Sequence, residues 1–155
     1  MEIRKARNED LEQIIQIWTD FMQYLQEVNA NYYAAEVDER AFLHYLNGML
    51  GQETANLLVA SMGEEVLGFI LARQELLPAW FGESKLGLIR YLAIKRGQQE
   101  RGVGKALVSA TLAWFVELGI ERIELYVLEG LPTSTFWKKL GFQPLMERRF
   151  LQLPS

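Results

Sequence analysis

A mixed α/β fold, with a mostly antiparallel sheet and helices on both faces, is what this chain predicts. Three observations carry the prediction. Asn56 to Ser61 and Glu65 to Arg73 are β-rich and flank Met62-Gly63-Glu64, a suitable hairpin turn. Leu11, Ile14, Ile15, Trp18, Phe21, Met22 and Leu25 recur at helical spacing, so one face of that segment is buried. A β-rich run from Leu86 to Ile94 then enters a polar loop, and an amphipathic helix pattern starts after Gly102 and Gly104.

The remaining elements follow in order. Met1 to Ala6 alternates and reads as a first strand, after which Asn8 is placed to cap the first helix. Asn29-Ala30-Asn31-Tyr32-Tyr33 breaks the helical pattern. A second helix starts near Asp38, carries Phe42, Leu43, Leu46 and Leu50, and ends near Gly51. Leu76 to Gly82, with Pro78, Trp80 and Phe81, is an irregular apolar loop. The helix after the glycines buries Val103, Leu107, Ala110 and Trp114, and Gly119 ends it. Ile120 to Leu128 is a strand, Thr133 to Leu140 a short helix stopped by Gly141, and Phe142 to Leu153 supplies one or two closing strands. The predicted order is β-α-α-β-β-β-α-β-α-β(-β), a six- to seven-stranded sheet. The strands either side of the glycine-led helix are expected to be parallel neighbours joined by a right-handed crossover.

Composition narrows the function. The 155 residues suit one domain, spanning 1–155, and half are apolar, which opposes disorder. No apolar run is long enough to span a bilayer, and the charged N-terminus lacks a signal-peptide core, so a cytoplasmic protein without membrane contact is expected. With no cysteine there is no disulfide, no thiolate metal site and no Cys nucleophile. His44 is the only histidine, so a multi-histidine metal site is impossible, and no metal is expected. The net charge of −4, from 16 basic and 20 acidic residues, disfavours broad nucleic-acid binding.

The loop before the third helix is the most informative segment. A strand-to-helix turn with glycines aims free backbone N–H groups at one point, at the positive end of a helix dipole, and so forms an anion cradle. Two familiar phosphate loops fail residue by residue. Gly104-Lys105 is followed by Ala106, and Gln99 occupies the place of a P-loop's first glycine. The dinucleotide fingerprint needs a glycine where this chain has Leu107.

Gln99-x-x-Gly102-x-Gly104, preceded by Leu92-Ala93-Ile94, resembles the acyl-CoA pyrophosphate loop of the GCN5-related N-acetyltransferase (GNAT) superfamily. Thr135-Phe136-Trp137-Lys138-Lys139-Leu140-Gly141-Phe142 is similar to that family's closing helix and Gly-Phe turn, and Val66 to Ile70 to its third strand. The resemblance covers essentially the whole chain. It implies an N-acetyltransferase that takes acetyl-CoA as co-substrate and a primary amine of a small molecule or peptide as acceptor, by direct attack in a ternary complex. It also implies that Gln99, Glu100, Arg101, Gly102, Val103, Gly104 and Lys105 wrap the pyrophosphate. Leu92, Ala93 and Ile94 would bond the pantetheine arm where two strands splay, with Ser134 and Trp137 beside the cofactor. A homodimer through the closing strands is compatible with the pattern.

Two positions depart from the family. Trp137 stands where a tyrosine often protonates the leaving thiolate, and an indole is no acid at neutral pH. Leu131 replaces an asparagine that bonds pantetheine. Both favour a second reading, a catalytically weak acyl-CoA-binding or regulatory module. For the proton transfers the sequence offers Glu83, Glu27 and Tyr91, with Glu75, Glu36, Tyr126 and Ser134 behind them. Tyr24, Tyr32, Tyr33, Trp80 and Phe81 are candidate walls of an acceptor pocket.

Overall fold

The structure is a computed structural model that describes every residue except Ala34, Ala35, Glu83 and Glu100. Its elements are β1 (Glu2–Lys5), α1 (Leu11–Val28), α2 (Glu39–Met49), β2 (Ala55–Met62), β3 (Glu65–Leu76), β4 (Lys85–Ile94), α3 (Val103–Glu117), β5 (Ile123–Leu125) and α4 (Ser134–Lys139). Short 3-10 turns lie at Asn8–Asp10 and Ala79–Phe81. The strands form one sheet in the order β1-β2-β3-β4-β5, antiparallel except for the parallel pair β4 and β5.

Side-chain alternation divides the core in two. On one face α1 and α2 bury Leu11, Ile14, Trp18, Met22, Phe42 and Leu46 against Leu57, Val59, Phe69 and Leu71. On the other, α3 buries Val103, Leu107, Val108 and Phe115 against Leu58, Ala60, Leu67, Ile70 and Ile89. β2 and β3 are therefore covered on both sides, and their sequences read as nearly continuous apolar runs. Gly87 is required by this packing: a Cβ there would lie 2.6 Å from the Phe115 ring.

The first helix is held by Asp10 rather than by Asn8. Arg4 donates two hydrogen bonds to the Asp10 carboxylate, at 2.7 and 2.9 Å, and the Arg7 backbone N–H donates a third at 2.8 Å. This ion pair ties β1 to the start of α1, with side chains only 14% and 6% exposed. Gln13 adds a clamp on the hairpin turn, donating to the Glu64 carbonyl and accepting from Val66 N–H.

Two strand expectations are corrected. The sheet has five strands among the described residues, not six or seven. β5 covers only Ile123–Leu125 of the expected Ile120 to Leu128, and residues 142–155 form no strand. The reason is the absence of a partner. The chain after Phe142 does not return to the β5 edge, and a strand without a ladder is not a strand.

The Arg4 hydrogen bond, outweighing the cost of burial, holds the Asp10 carboxyl below its ordinary 3.8. A depressed carboxyl contributes stability in full above that ordinary value and loses it as pH falls through the lower folded value. Asp10→Asn is therefore expected to lower stability by about 3 kcal/mol at neutral pH, because Arg4 is left buried and unpaired. The difference between wild type and variant should shrink below about pH 4. Thermal melts of both proteins across pH 2.5 to 7 check this; a constant difference would refute the coupling.

Candidate acetyl-donor cleft and acceptor cavity

β4 and β5 pair only at Gly87↔Ile123, Leu88↔Glu124 and Ile89↔Leu125. β4 then runs on to Ile94 with no strand on that side among the described residues. The β5-facing backbone groups of β4 beyond Ile89 are thereby left along an open wedge, while Tyr91 to Ile94 stay paired with β3. A bulge lies at the point of parting. On the β3 side Ala72 pairs with Ile89 and Leu71 with Tyr91, so Arg90 is the extra residue. A bulge re-aims side chains. Here Arg90 and Tyr91, adjacent in sequence, line the same cavity on the α1–α2 side.

That cavity, about 360 Å³, is walled by Trp18, Phe42, Tyr45 and Tyr91 and rimmed by Asp38 and Arg90. Trp18 stacks on Phe42 with ring centroids 3.9 Å apart, and Tyr91 meets Phe42 edge-on at 5.5 Å. The Arg90 guanidinium carbon lies 5.6 Å from the Tyr91 ring. Asp38 caps α2 by accepting the Ala41 N–H at 3.1 Å. Burial pushes the Tyr32 phenol up from its ordinary 10.0, with Tyr91 and Tyr33 adding to the rise and Arg90 opposing it. Tyr32 therefore stays a neutral hydrogen-bonding group.

On the other side of the wedge, the loop from Lys95 leads to α3. The Gln99 side chain accepts the Gly97 N–H at 2.9 Å, so it shapes the turn. Gly102 takes the left-handed conformation at φ 74° and starts α3 without any side-chain cap. The three longer helices differ in the charge of their first turns. α1 opens with Glu12 after the acidic Asp10, and α2 with Asp38 and Glu39, whereas the first turn of α3 holds no acidic residue. Its open N–H groups and positive dipole end are left for an anion from outside. Arg101 and Lys105 are exposed beside it. Gly104 is buried, and a Cβ there would sit 3.4 Å from Phe136 of α4. These features fit a diphosphate ester at the helix end with its arm in the wedge.

The remaining candidates fall as follows. Leu92, Ala93 and Ile94 line the opened part of β4. Ser134 is exposed at the start of α4, and Trp137 packs edge-on between Phe136, at 4.9 Å, and Phe142, at 5.4 Å. Trp137 thus joins the α3-side core. Leu131 packs on the opposite core. Glu27 is exposed near the end of α1, one residue from Val28, which sits against Gly130. Asn29 donates to the Glu129 carbonyl at 3.2 Å, so the end of α1 closes over the segment following β5. Glu75 is bound to Arg73 at 2.9 Å, and Tyr126 is 69% exposed. Glu83 and Glu100 lie outside the described residues. Tyr24, Tyr33, Trp80 and Phe81 are exposed and do not line the cavity. Trp18, Phe42, Tyr45 and Arg90 were missed as wall residues. The aromatic three carry an ordinary core signal, but Arg90 is a lone charge inside an apolar strand and could have been noticed.

Comparison with known proteins agrees with this arrangement. A curated relative, an uncharacterized N-acetyltransferase of Archaeoglobus fulgidus, is 24% identical over 130 residues, 82% of each chain. A predicted acetyltransferase from Clostridium acetobutylicum, solved with acetyl-CoA, superposes with a TM-score of 0.74 at 17% identity, covering 97% of this chain and 95% of that one. An aminoglycoside 6'-N-acetyltransferase from Acinetobacter haemolyticus gives 0.75 at 15% identity, covering 100% and 99%. A transcriptional regulator from Bacillus halodurans gives 0.77 at 20% identity, covering 98% and 99%, so the fold is shared across differently described proteins. Among the described residues no helix is long and apolar enough to cross a membrane. The acetyltransferase (GNAT) family profile matches residues 11–142, which take in the glycine loop, the parted strands and the closing helix, and the chain belongs to that family of acetyltransferases.

Proposed function

We propose that the protein moves an acetyl group from acetyl-CoA to a primary amine of a small molecule or peptide, by direct attack in a ternary complex. The observation that supports this best is the wedge beyond Ile89. It opens between an uncapped helix end suited to a diphosphate and an aromatic cavity suited to an acceptor. Main-chain groups of Leu92 to Ile94 hold the pantetheine arm, and an N–H in this stretch polarises the thioester carbonyl. That bond strengthens as the oxyanion forms, which is how it accelerates reaction. The net charge of −4 supports an enzyme that does not engage nucleic acid.

The acceptor amine must lose a proton, since an alkyl amine resembles Lys with a pKa of about 10.4. Tyr91 stands in the cavity wall, and Glu27 is exposed near the end of α1, which closes over the segment after β5. Either residue, alone or through water, serves as the proton acceptor or donor. Trp137 gives the leaving thiolate no proton. A CoA thiol resembles Cys, near about 8.5, and leaves well enough without one. Trp137 packed among phenylalanines also supports the second reading, a module that binds acyl-CoA and turns over weakly.

Thiol release from acetyl-CoA in the presence of an amine panel separates the two readings. Amine-dependent release is expected; tight binding of acetyl-CoA with no release on any amine would favour the module. Gly102→Ala forces an L side chain into the left-handed region at a cost of about 1 to 2 kcal/mol. KM for acetyl-CoA should rise roughly five- to thirtyfold with kcat little changed. An unchanged KM would remove the cradle from the mechanism. Tyr91→Phe and Glu27→Gln are expected to divide the proton-transfer role: the true participant loses roughly 10²-fold or more in kcat/KM with an altered pH profile. If both variants keep the wild-type profile, neither residue carries the proton.

A further inference from the structure

The polar groups around the aromatic cavity are unevenly matched. Of the three arginines within strands, Arg4 is paired with Asp10 and Arg73 with Glu75, while Arg90 forms no ion pair among the described residues. Arg90 is exposed, and its guanidinium carbon lies 5.6 Å from the Tyr91 ring. A guanidinium resting against a ring is oriented by it and keeps its planar fork of N–H donors. Tyr45 and Tyr91, on the same wall, carry phenol O–H groups that have no hydrogen-bond partner among the described residues. Donors thus gather beside a Trp18–Phe42 stack, an arrangement that fits a carboxylate carried on an apolar body. The acidic side is weaker. Asp38 is the one acid among the lining residues, and its Oδ1 is taken by the Ala41 N–H. An acceptor with several ammonium groups would meet one part-used carboxylate and a repelling guanidinium.

Position narrows the class further. Arg90 is the bulged residue, and the β5 pairing ends one residue before it, at Ile89. The cation therefore stands where the wedge begins. A carboxylate gripped there keeps an amine on the adjacent carbon close to the wedge, whereas an amine at the end of a long chain is carried away from it. A peptide N-terminus has no free carboxylate on that carbon. The volume of about 360 Å³ lies near the small end of ordinary ligand pockets, about 300 to 1,000 Å³. It suits one large side chain better than the several rings of a glycoside.

We propose that the acceptor is a free apolar amino acid, aromatic or branched, whose carboxylate sits on Arg90, whose side chain packs against Trp18, Phe42 and Tyr45, and whose α-amine faces the wedge. The inference rests on the acetyl-transfer reading for the fate of the amine; the carboxylate subsite itself concerns binding. In the reaction the neutral amine forms a C–N bond to the thioester carbonyl carbon. The C–S bond breaks with its electron pair going to sulfur, and the surplus proton on nitrogen passes to the thiolate by way of water or the proton carrier. The products are an N-acetyl amino acid and free CoA thiol.

Two pairs of amines isolate the carboxylate: L-phenylalanine with 2-phenylethylamine, and L-leucine with 3-methylbutylamine. Within each pair the amine and the apolar body are kept and the carboxylate is removed. Values of kcat/KM are measured for wild type, Arg90→Gln and Arg90→Lys. For at least one pair, the ratio of amino acid to plain amine should fall roughly tenfold or more in Arg90→Gln. Arg90→Lys should restore part of it, since lysine keeps the charge without the fork. Comparing ratios between variants cancels the unequal basicity of the two amines. Acetylation with ratios unchanged in Arg90→Gln, or confined to amines without a carboxylate, overturns the proposal and leaves acetyl transfer standing. If no amine is acetylated, calorimetry of the CoA-loaded protein with the same four compounds decides. Amino-acid binding that weakens roughly tenfold in Arg90→Gln upholds the subsite and refutes the catalytic reading. No binding of either amino acid, or binding indifferent to Arg90, overturns the subsite.

Discussion

The hydrogen-bonded contact between β4 and β5 lasts three residues, and the site depends on its ending there. Parallel strands of an α/β crossover would ordinarily stay paired along their length. Here β5 stops at Leu125, while β4 continues through a bulge at Arg90. The bulge has two effects on one stretch of chain. It puts Arg90 and Tyr91 together on the α1–α2 side, and it falls where the β5 pairing ends, while Tyr91 to Ile94 stay paired with β3. Unpaired backbone polar groups are costly when buried, so such a wedge persists only where something else bonds them. A long amide-bearing donor of the kind proposed above would answer that requirement.

The electrostatics of the helix ends point the same way. α1 and α2 each begin with carboxylates near their positive ends: Asp38 accepts an N–H of α2, and Asp10 at the start of α1 is fixed by Arg4 and the Arg7 N–H. α3 begins with a left-handed glycine, two buried small or branched residues and no acid. A helix of fifteen residues with an open positive end facing a cleft is not stabilised from within. The contrast within one chain is more telling than the glycine spacing alone.

Much of this was legible in the sequence. Period-3.6 and hairpin signals placed α1, α2, β2 and β3, because those patterns reflect burial on a known face. The glycine loop and the closing helix identified the family, whose profile matches residues 11–142. The N-cap expectation failed at Asn8 because a tertiary partner, Arg4, made Asp10 the better anchor. The bulge at Arg90 was not legible, since register is a property of two strands and not of one. The cavity walls were missed for a related reason. Trp18 and Phe42 carry the same periodic signal whether they meet core or cavity. Phe142 to Leu153 reads as strand from its local pattern, but a pattern does not supply a neighbouring strand, and residues 142–155 form none.

Phe115 sits in the notch that Gly87 leaves on β4. A ring seated so closely acts as a key, and α3 cannot slide along the strand beneath it. The span from the helix's open end to the fork in the sheet is thereby a fixed length. A donor gripped by its diphosphate at one end would be gauged by this rigid ruler at the other, and a carrier arm of the wrong length would hold its acyl carbon out of register with the amine.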